Sequence, residues 1–145
     1  MKNLLIVCLL SILTYGASAQ KIKPCETWLT GYVDVDPKMS DGSSITKYVV
    51  GKLQADTSLK SKASCDVGLM MYVNCHGEFS YERMEYSNNP LIAAKCSELL
   101  QSLEGILKGI TILSPGKIGV EKKDFIFTLV VKIKHNGKPE AEILY

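Results

Sequence analysis

Five cysteines, two histidines and a scatter of carboxylates are the residues of this chain whose types could do chemistry. Cys8 lies inside an apolar run. The other four, Cys25, Cys65, Cys75 and Cys96, are spaced by 40, 10 and 21 residues. Those spacings match no zinc-ligand pattern. No Cys-x-x-Cys occurs, which argues against a redox-catalytic pair. His76 stands beside Gly77 and His135 beside Asn136-Gly137, so both read as turn residues. Glu82 and Glu85 fall on an irregular strand, with no partner arranged for general acid–base work. Tyr72, Tyr81 and Tyr86 fit an aromatic surface or a half-buried sheet face. No catalytic, cofactor-binding or metal-ligating residue is expected, and the chain reads as a non-enzyme without a cofactor.

The start of the chain sets the compartment. Lys2, the apolar run Leu4 to Leu13 and the small residues Ala17-Ser18-Ala19 have the layout of a cleaved export signal, with cleavage between Ala19 and Gln20. The apolar run is shorter than the roughly 20 residues that a membrane-spanning helix needs, so no transmembrane span is expected in the mature chain. Without Lys2, 16 basic residues face 15 acidic ones and no dense Lys/Arg run exists. That balance gives no support to nucleic-acid or polybasic lipid binding. An even number of cysteines in an exported chain favours disulfides. The expected location is periplasmic or secreted.

The elements follow from periodicity. Trp28 to Val35 is aromatic and β-branched and reads as a short strand. Asp36-Pro37 and Ser40-Asp41-Gly42 mark a loop. Ser43 or Ser44 can cap a helix carrying Ile45, Tyr48, Val49 and Leu53 on one face and ending near Ala55 or Asp56. Thr57 to Ser64 is a polar connection. Asp66 to Asn74 alternates, with Val67, Leu69, Met71 and Val73 on one face. His76-Gly77 forms the turn, and Glu78 to Tyr86 the partner strand. Asn88 or Asn89 then caps a second helix, with Pro90 in its first turn. Ile92, Cys96, Leu99, Leu100, Leu103, Ile106 and Leu107 form a wide apolar stripe along it, and Gly105 or Gly109 ends it. Ser114-Pro115-Gly116 makes a turn.

Asp124 to Lys134 alternates most cleanly of all. Phe125, Phe127, Leu129, Val131 and Ile133 occupy one face. Asn136-Gly137 is a hairpin signal, with Glu140 to Tyr145 as the returning strand. The order strand, helix, hairpin, helix, strand, strand implies an α+β two-layer sandwich with two helices on one face of an antiparallel sheet.

That order constrains the cysteines. Cys65 begins a strand and Cys75 ends it. Ten extended residues span roughly 33 Å, against the 7 Å or so that a disulfide tolerates between Cα atoms. They should not pair. Cys96 starts the second helix near the Cys65 end of the sheet, so Cys65–Cys96 is the expected bridge, with Cys96 facing the sheet. Cys25 and Cys75 are then either paired or free.

Val33-Asp34-Val35-Asp36-Pro37, the hairpin stretch Gly68 to Phe79, Pro115-Gly116 and the strand Phe125 to Ile133 occur in an order that resembles the C-terminal domain of TonB, over about two-thirds of the chain. The usual aromatic before the Pro-Gly turn is here Leu113, and a Tyr-Pro pair after the first helix is missing. With residues 1–19 read as signal and 20–42 as a strand and loop lead-in, the resemblance implies 43–145 as a TonB C-terminal-like domain. It also implies capture of an extended peptide from an envelope protein, such as an outer-membrane protein. Phe125, Phe127, Leu129 and Val131 are the expected docking edge, unless Glu140 to Tyr145 folds back over it. The competing expectation is an inhibitor or accessory protein that presents hairpin loops to a hydrolase.

Overall fold

A computed structural model describes residues 22–31, 33–57, 64–84, 90–134 and 136–145, with the backbone alone for 90–95. The expected signal segment, Tyr86, the Asn88/Asn89 cap, His135 and the Ile92 side chain lie outside the described residues.

The first helix, α1 (Ile45–Ala55), begins where Ser44 accepts a hydrogen bond from the Lys47 N–H through its side chain. This satisfies one of the donors that every helix start leaves unpaired. Ile45, Val49 and Leu53 recur every four residues and are all buried. The helix closes with the Asp56 N–H on the Leu53 carbonyl. The second helix, α2 (Pro90–Lys108), buries Cys96, Leu99, Leu103 and Leu107.

Both helices pack on one face of a four-stranded antiparallel sheet. Its strands are β2 (Cys65–Val73), β3 (Phe79–Met84), β7 (Phe125–Ile133) and β8 (Pro139–Leu144), in the order β3-β2-β7-β8. The register pairs Leu69 with Leu129 and Met71 with Phe127. The odd-numbered residues of β2 and β7 therefore share one face, and there they meet Ile45, Val49, Leu53, Leu99, Leu103 and Leu107 in a single core. The α+β class, the two helices and the antiparallel pairing agree with the sequence reading.

Two further ladders among the described residues are each two residues long per strand. β1 (Lys38–Met39) pairs with β4 (Leu113–Ser114), and β5 (Lys117–Ile118) pairs with β6 (Glu121–Lys122). Pro115-Gly116 links β4 to β5.

Two expectations need correction. Trp28 to Val35 is not a continuous strand: among its described residues, Leu29 and Val35 alone make isolated bridges, to Phe125 and Lys117 respectively. Gly31 has a φ of +102° between them, a left-handed conformation that interrupts extended backbone. Tyr72 and Tyr81 do not form one aromatic surface. Met71 is the partner of Tyr81 and Ser80 that of Tyr72, so the two rings stand on opposite faces. Tyr72 instead meets Trp28 edge to face, 5.5 Å between centroids.

Candidate functional site

The backbone hydrogen bonds locate the edges of the sheet. The Ile126 N–H donates to the Leu29 carbonyl, and Leu29 in turn donates to the Asp124 carbonyl. Ile126 thus points away from β2. Antiparallel ladders alternate in phase, so Phe125, Phe127, Leu129 and Val131 direct their backbone groups into the β2 ladder. On the opposite flank, β8 pairs with β7 from Thr128 to Ile133. The expected docking edge is therefore corrected: β7 is an interior strand, paired on both sides. The C-terminal segment folds back over it, as the Asn136-Gly137 turn implies. Gly137 supplies the turn with a φ of +73°.

Among the described residues, the outer strands of the sheet are β3 and β8. At the hairpin, the Lys134 N–H donates to the Lys138 carbonyl. Continuing that alternation along β8 makes Glu140 and Glu142 the bonded residues and turns the backbone groups of Ala141 and Ile143 outward. Pro139 falls in the same outward phase, where its missing N–H leaves the β7 ladder intact. Beside β8 runs a groove of about 510 Å³, lined on the helix side by Thr46, Lys47, Val50, Gly51 and Gln54. Thr46, Val50 and Gln54 each follow a buried residue of α1 by one position, so this lining flanks the stripe of Ile45, Val49 and Leu53. Lys132 pairs with Glu142 and Lys134 with Glu140, at 2.8 and 2.5 Å. At the end of β8, Tyr145 donates its hydroxyl to Asp36. Burial, followed by the Asp36 carboxylate, pushes the Tyr145 phenol up from its ordinary value.

The cysteines form two bridges, Cys65–Cys96 and Cys25–Cys75, with Cα separations of 5.7 and 6.0 Å. The first is the pairing that strand and helix geometry implied, and it fastens α2 to the start of β2. The second resolves the open alternative for the other two cysteines. Both are consistent with folding outside a reducing compartment. No helix among the described residues is long and apolar enough to cross a membrane.

Asp124 organises the second bridge, and sequence reasoning treated it only as the start of a strand. Its carboxylate is buried and accepts N–H donors from Cys25, Glu26 and Cys75 at 2.9, 2.9 and 2.8 Å. Burial pushes this carboxyl up, but the three N–H donors and the nearby His76 outweigh it and hold it below the usual carboxylate value. A depressed folded-state value stabilises the fold above the unfolded-state value near 3.8 and is lost as pH falls through the folded one. Asp124→Asn replaces one acceptor oxygen with a donor that faces another donor. The expected loss is about 2 kcal/mol at pH 7, together with a flatter decline in stability below about pH 4 than in the parent. Urea midpoints between pH 2.5 and 7 check both.

A scan of protein-family models finds no match for the chain, and searches of curated proteins and of solved structures find none either.

Proposed function

We propose that the protein is an exported, non-catalytic module of the bacterial envelope, similar to the C-terminal domain of TonB, that binds an extended peptide segment of a partner by strand addition at β8. The observation that carries this reading is the outward backbone of Ala141 and Ile143, with which no described strand pairs, beside a groove walled by α1. An incoming strand gains main-chain hydrogen bonds from such an edge. Specificity comes from the side chains that reach the neighbouring groove. Val50 and Gly51 leave room for an apolar side chain there, and Lys47 supplies a cation at its rim.

The reading has a direct test. Peptides selected against the mature chain from a random extended library are titrated into isotope-labelled protein. Amide shifts are expected at 141–145 and along 46–54. Ala141→Pro deletes an outward N–H without touching the β7 ladder. It is expected to weaken binding at least tenfold while moving the melting temperature by only a few degrees. Undiminished binding by that variant, or shifts confined to β3, would overturn the β8 assignment.

A second reading is favoured by one feature. The β5–β6 hairpin holds Val120 at its tip, 94% exposed, next to Gly119 at a φ of +60°. Asp34 accepts the Gly119 N–H at 2.5 Å, and Val35 exchanges backbone bonds with Lys117. A braced hairpin with an aliphatic tip suits insertion into another protein's apolar pocket, as an inhibitor of a hydrolase would require. Val120→Asp leaves the fold and the β8 groove intact. It separates the readings: it would abolish hydrolase inhibition and spare peptide binding.

A further inference from the structure

Cys25, Cys75 and His76 bring two sulfurs and an imidazole nitrogen together, all within 4.8 Å of one another. Cys25 and His76 are exposed and Cys75 is half-buried. The Cys65–Cys96 bridge differs in both respects, because its residues are only 4% and 9% exposed and no imidazole among the described residues joins them. We propose that reduction of the Cys25–Cys75 bridge converts this cluster into a binding site for a thiophilic d10 cation, with zinc(II) as its representative, ligated by Cys25, Cys75 and His76. This site is separate from the β8 groove and does not depend on the peptide-binding reading.

The argument rests on what holds the two cysteines when the sulfur–sulfur bond is gone. Oδ1 of Asp124 accepts both the Cys25 and the Cys75 N–H, and Oδ2 accepts that of Glu26. Asn74 adds a second clamp. Its side-chain nitrogen donates to the Lys23 carbonyl and to Glu78, and its side-chain oxygen accepts the His76 and Glu78 N–H groups. None of these bonds involves sulfur. The Cα atoms, 6.0 Å apart, therefore stay in place when the bridge opens. Metal–sulfur bonds of about 2.3 Å and a metal–nitrogen bond of about 2.0 Å put tetrahedral ligands roughly 3.5–3.8 Å apart. The present spacing reaches that range by side-chain rotation alone.

The electrostatics also favour a cation. The buried Asp124 carboxylate lies under the cluster and disfavours two bare thiolates. A bound dication neutralises them. Both oxygens of Asp124 are engaged with N–H donors, so it supports the ligands rather than joining them, and solvent water completes the coordination. Three protein ligands with one open position is an arrangement zinc accepts.

The chemistry balances. A dithiol reductant supplies two electrons and two protons. The Cys25–Cys75 bond breaks, two S–H bonds form, and the reductant closes its own disulfide. Zinc then displaces the two thiol protons to solvent as two zinc–sulfur bonds form. The bridge is thereby a gate: oxidised, it is a cross-link; reduced, it is a ligand pair.

The experiment uses the full mature chain and zinc(II) competed by a chromophoric chelator. The reduced, metal-free protein is expected to bind one zinc at least 100-fold more tightly than the oxidised protein. Cobalt(II) in its place is expected to give a thiolate charge-transfer band in the near ultraviolet. Cys25→Ser/Cys75→Ser should abolish binding, and His76→Ala should weaken it about tenfold or more. Equal affinity in the oxidised protein or in the double serine variant would overturn the proposal. A second measurement removes any dependence on full reduction. The oxidised protein is held in a monothiol redox buffer with and without zinc, and free thiols are mapped by alkylation. Zinc should raise the reduced fraction at Cys25 and Cys75 and leave Cys65 and Cys96 unchanged. An unchanged fraction at Cys25 and Cys75 would equally overturn the proposal.

Discussion

Replacing Gly77 with alanine is expected to lower stability by roughly 3 kcal/mol or more, because a Cβ there meets backbone at a shorter distance than a Cβ at Gly31, Gly42, Gly51, Gly105, Gly109, Gly116 or Gly119 meets any atom. Two independent causes add. Gly77 has a φ of +82°, a conformation that disfavours an L side chain by about 1–2 kcal/mol. A Cβ there would also stand 1.8 Å from the Leu113 carbonyl oxygen. That atom belongs to backbone, so no side-chain rotation relieves the overlap. Leu113 already donates its N–H to the Gly77 carbonyl at 2.8 Å, and its strand β4 pairs with β1. The added methyl therefore separates the β2–β3 turn from β4. At about 3–5 °C per kcal/mol for a domain of this size, the melting temperature should fall by about 10 °C or more. Gly105→Ala is the matched control. Gly105 lies within α2, and a Cβ there meets nothing within 4 Å. It should gain about 0.5–1 kcal/mol. A destabilisation at position 77 no larger than 1 kcal/mol would show that the turn and β4 do not touch as described.

Removing the Cys65–Cys96 bridge is the second large effect. The bond closes a separation of 31 residues, and the loss of constraint on the unfolded chain corresponds to about 3–4 kcal/mol. Both residues belong to the main core, so the double variant Cys65→Ala/Cys96→Ala loosens α2 from β2 and lowers global unfolding directly. The Cys25–Cys75 bond spans a longer separation, 50 residues, so loop length alone ranks it higher. The structure reverses that ranking. Cys25 lies in a segment outside the main core, joined to it by Asp124, Asn74 and the Leu29 bridges. Without its bond, those hydrogen bonds still hold the segment, and the helices and sheet, which it does not help to pack, keep their stability. Calorimetry of the two double variants should give the larger fall in melting temperature for the Cys65–Cys96 pair. The reverse order would show that residues 22–31 fold as one cooperative unit with the core.

The two helices and the long strands were legible because each carries its own period. Ile45, Val49 and Leu53 repeat with the helical turn, and Phe125 to Ile133 alternates with the pleat. The two turns that matter carry glycine where backbone geometry needs it, at Gly77 and Gly137. The short ladders β1–β4 and β5–β6 escaped notice because two residues per strand leave no period to read. Trp28 to Val35 misled because β-branched and aromatic residues suit any half-buried extended backbone. Here they make single bridges to two separate partners.

Local sequence alone thus determined the class of the fold, the faces of its elements, and which cysteines could not pair. It also placed the turn that returns the C-terminal strand. These depend on neighbours a few residues apart, whose spacing sets which way a side chain points. Tertiary structure decided that β7 is interior, that β8 is an outer strand of the sheet, and that Asp124 clamps Cys25 and Cys75 from 99 and 49 residues away. Those outcomes depend on which distant backbone groups satisfy one another's hydrogen bonds. No short-range pattern encodes that choice; the packed chain as a whole settles it.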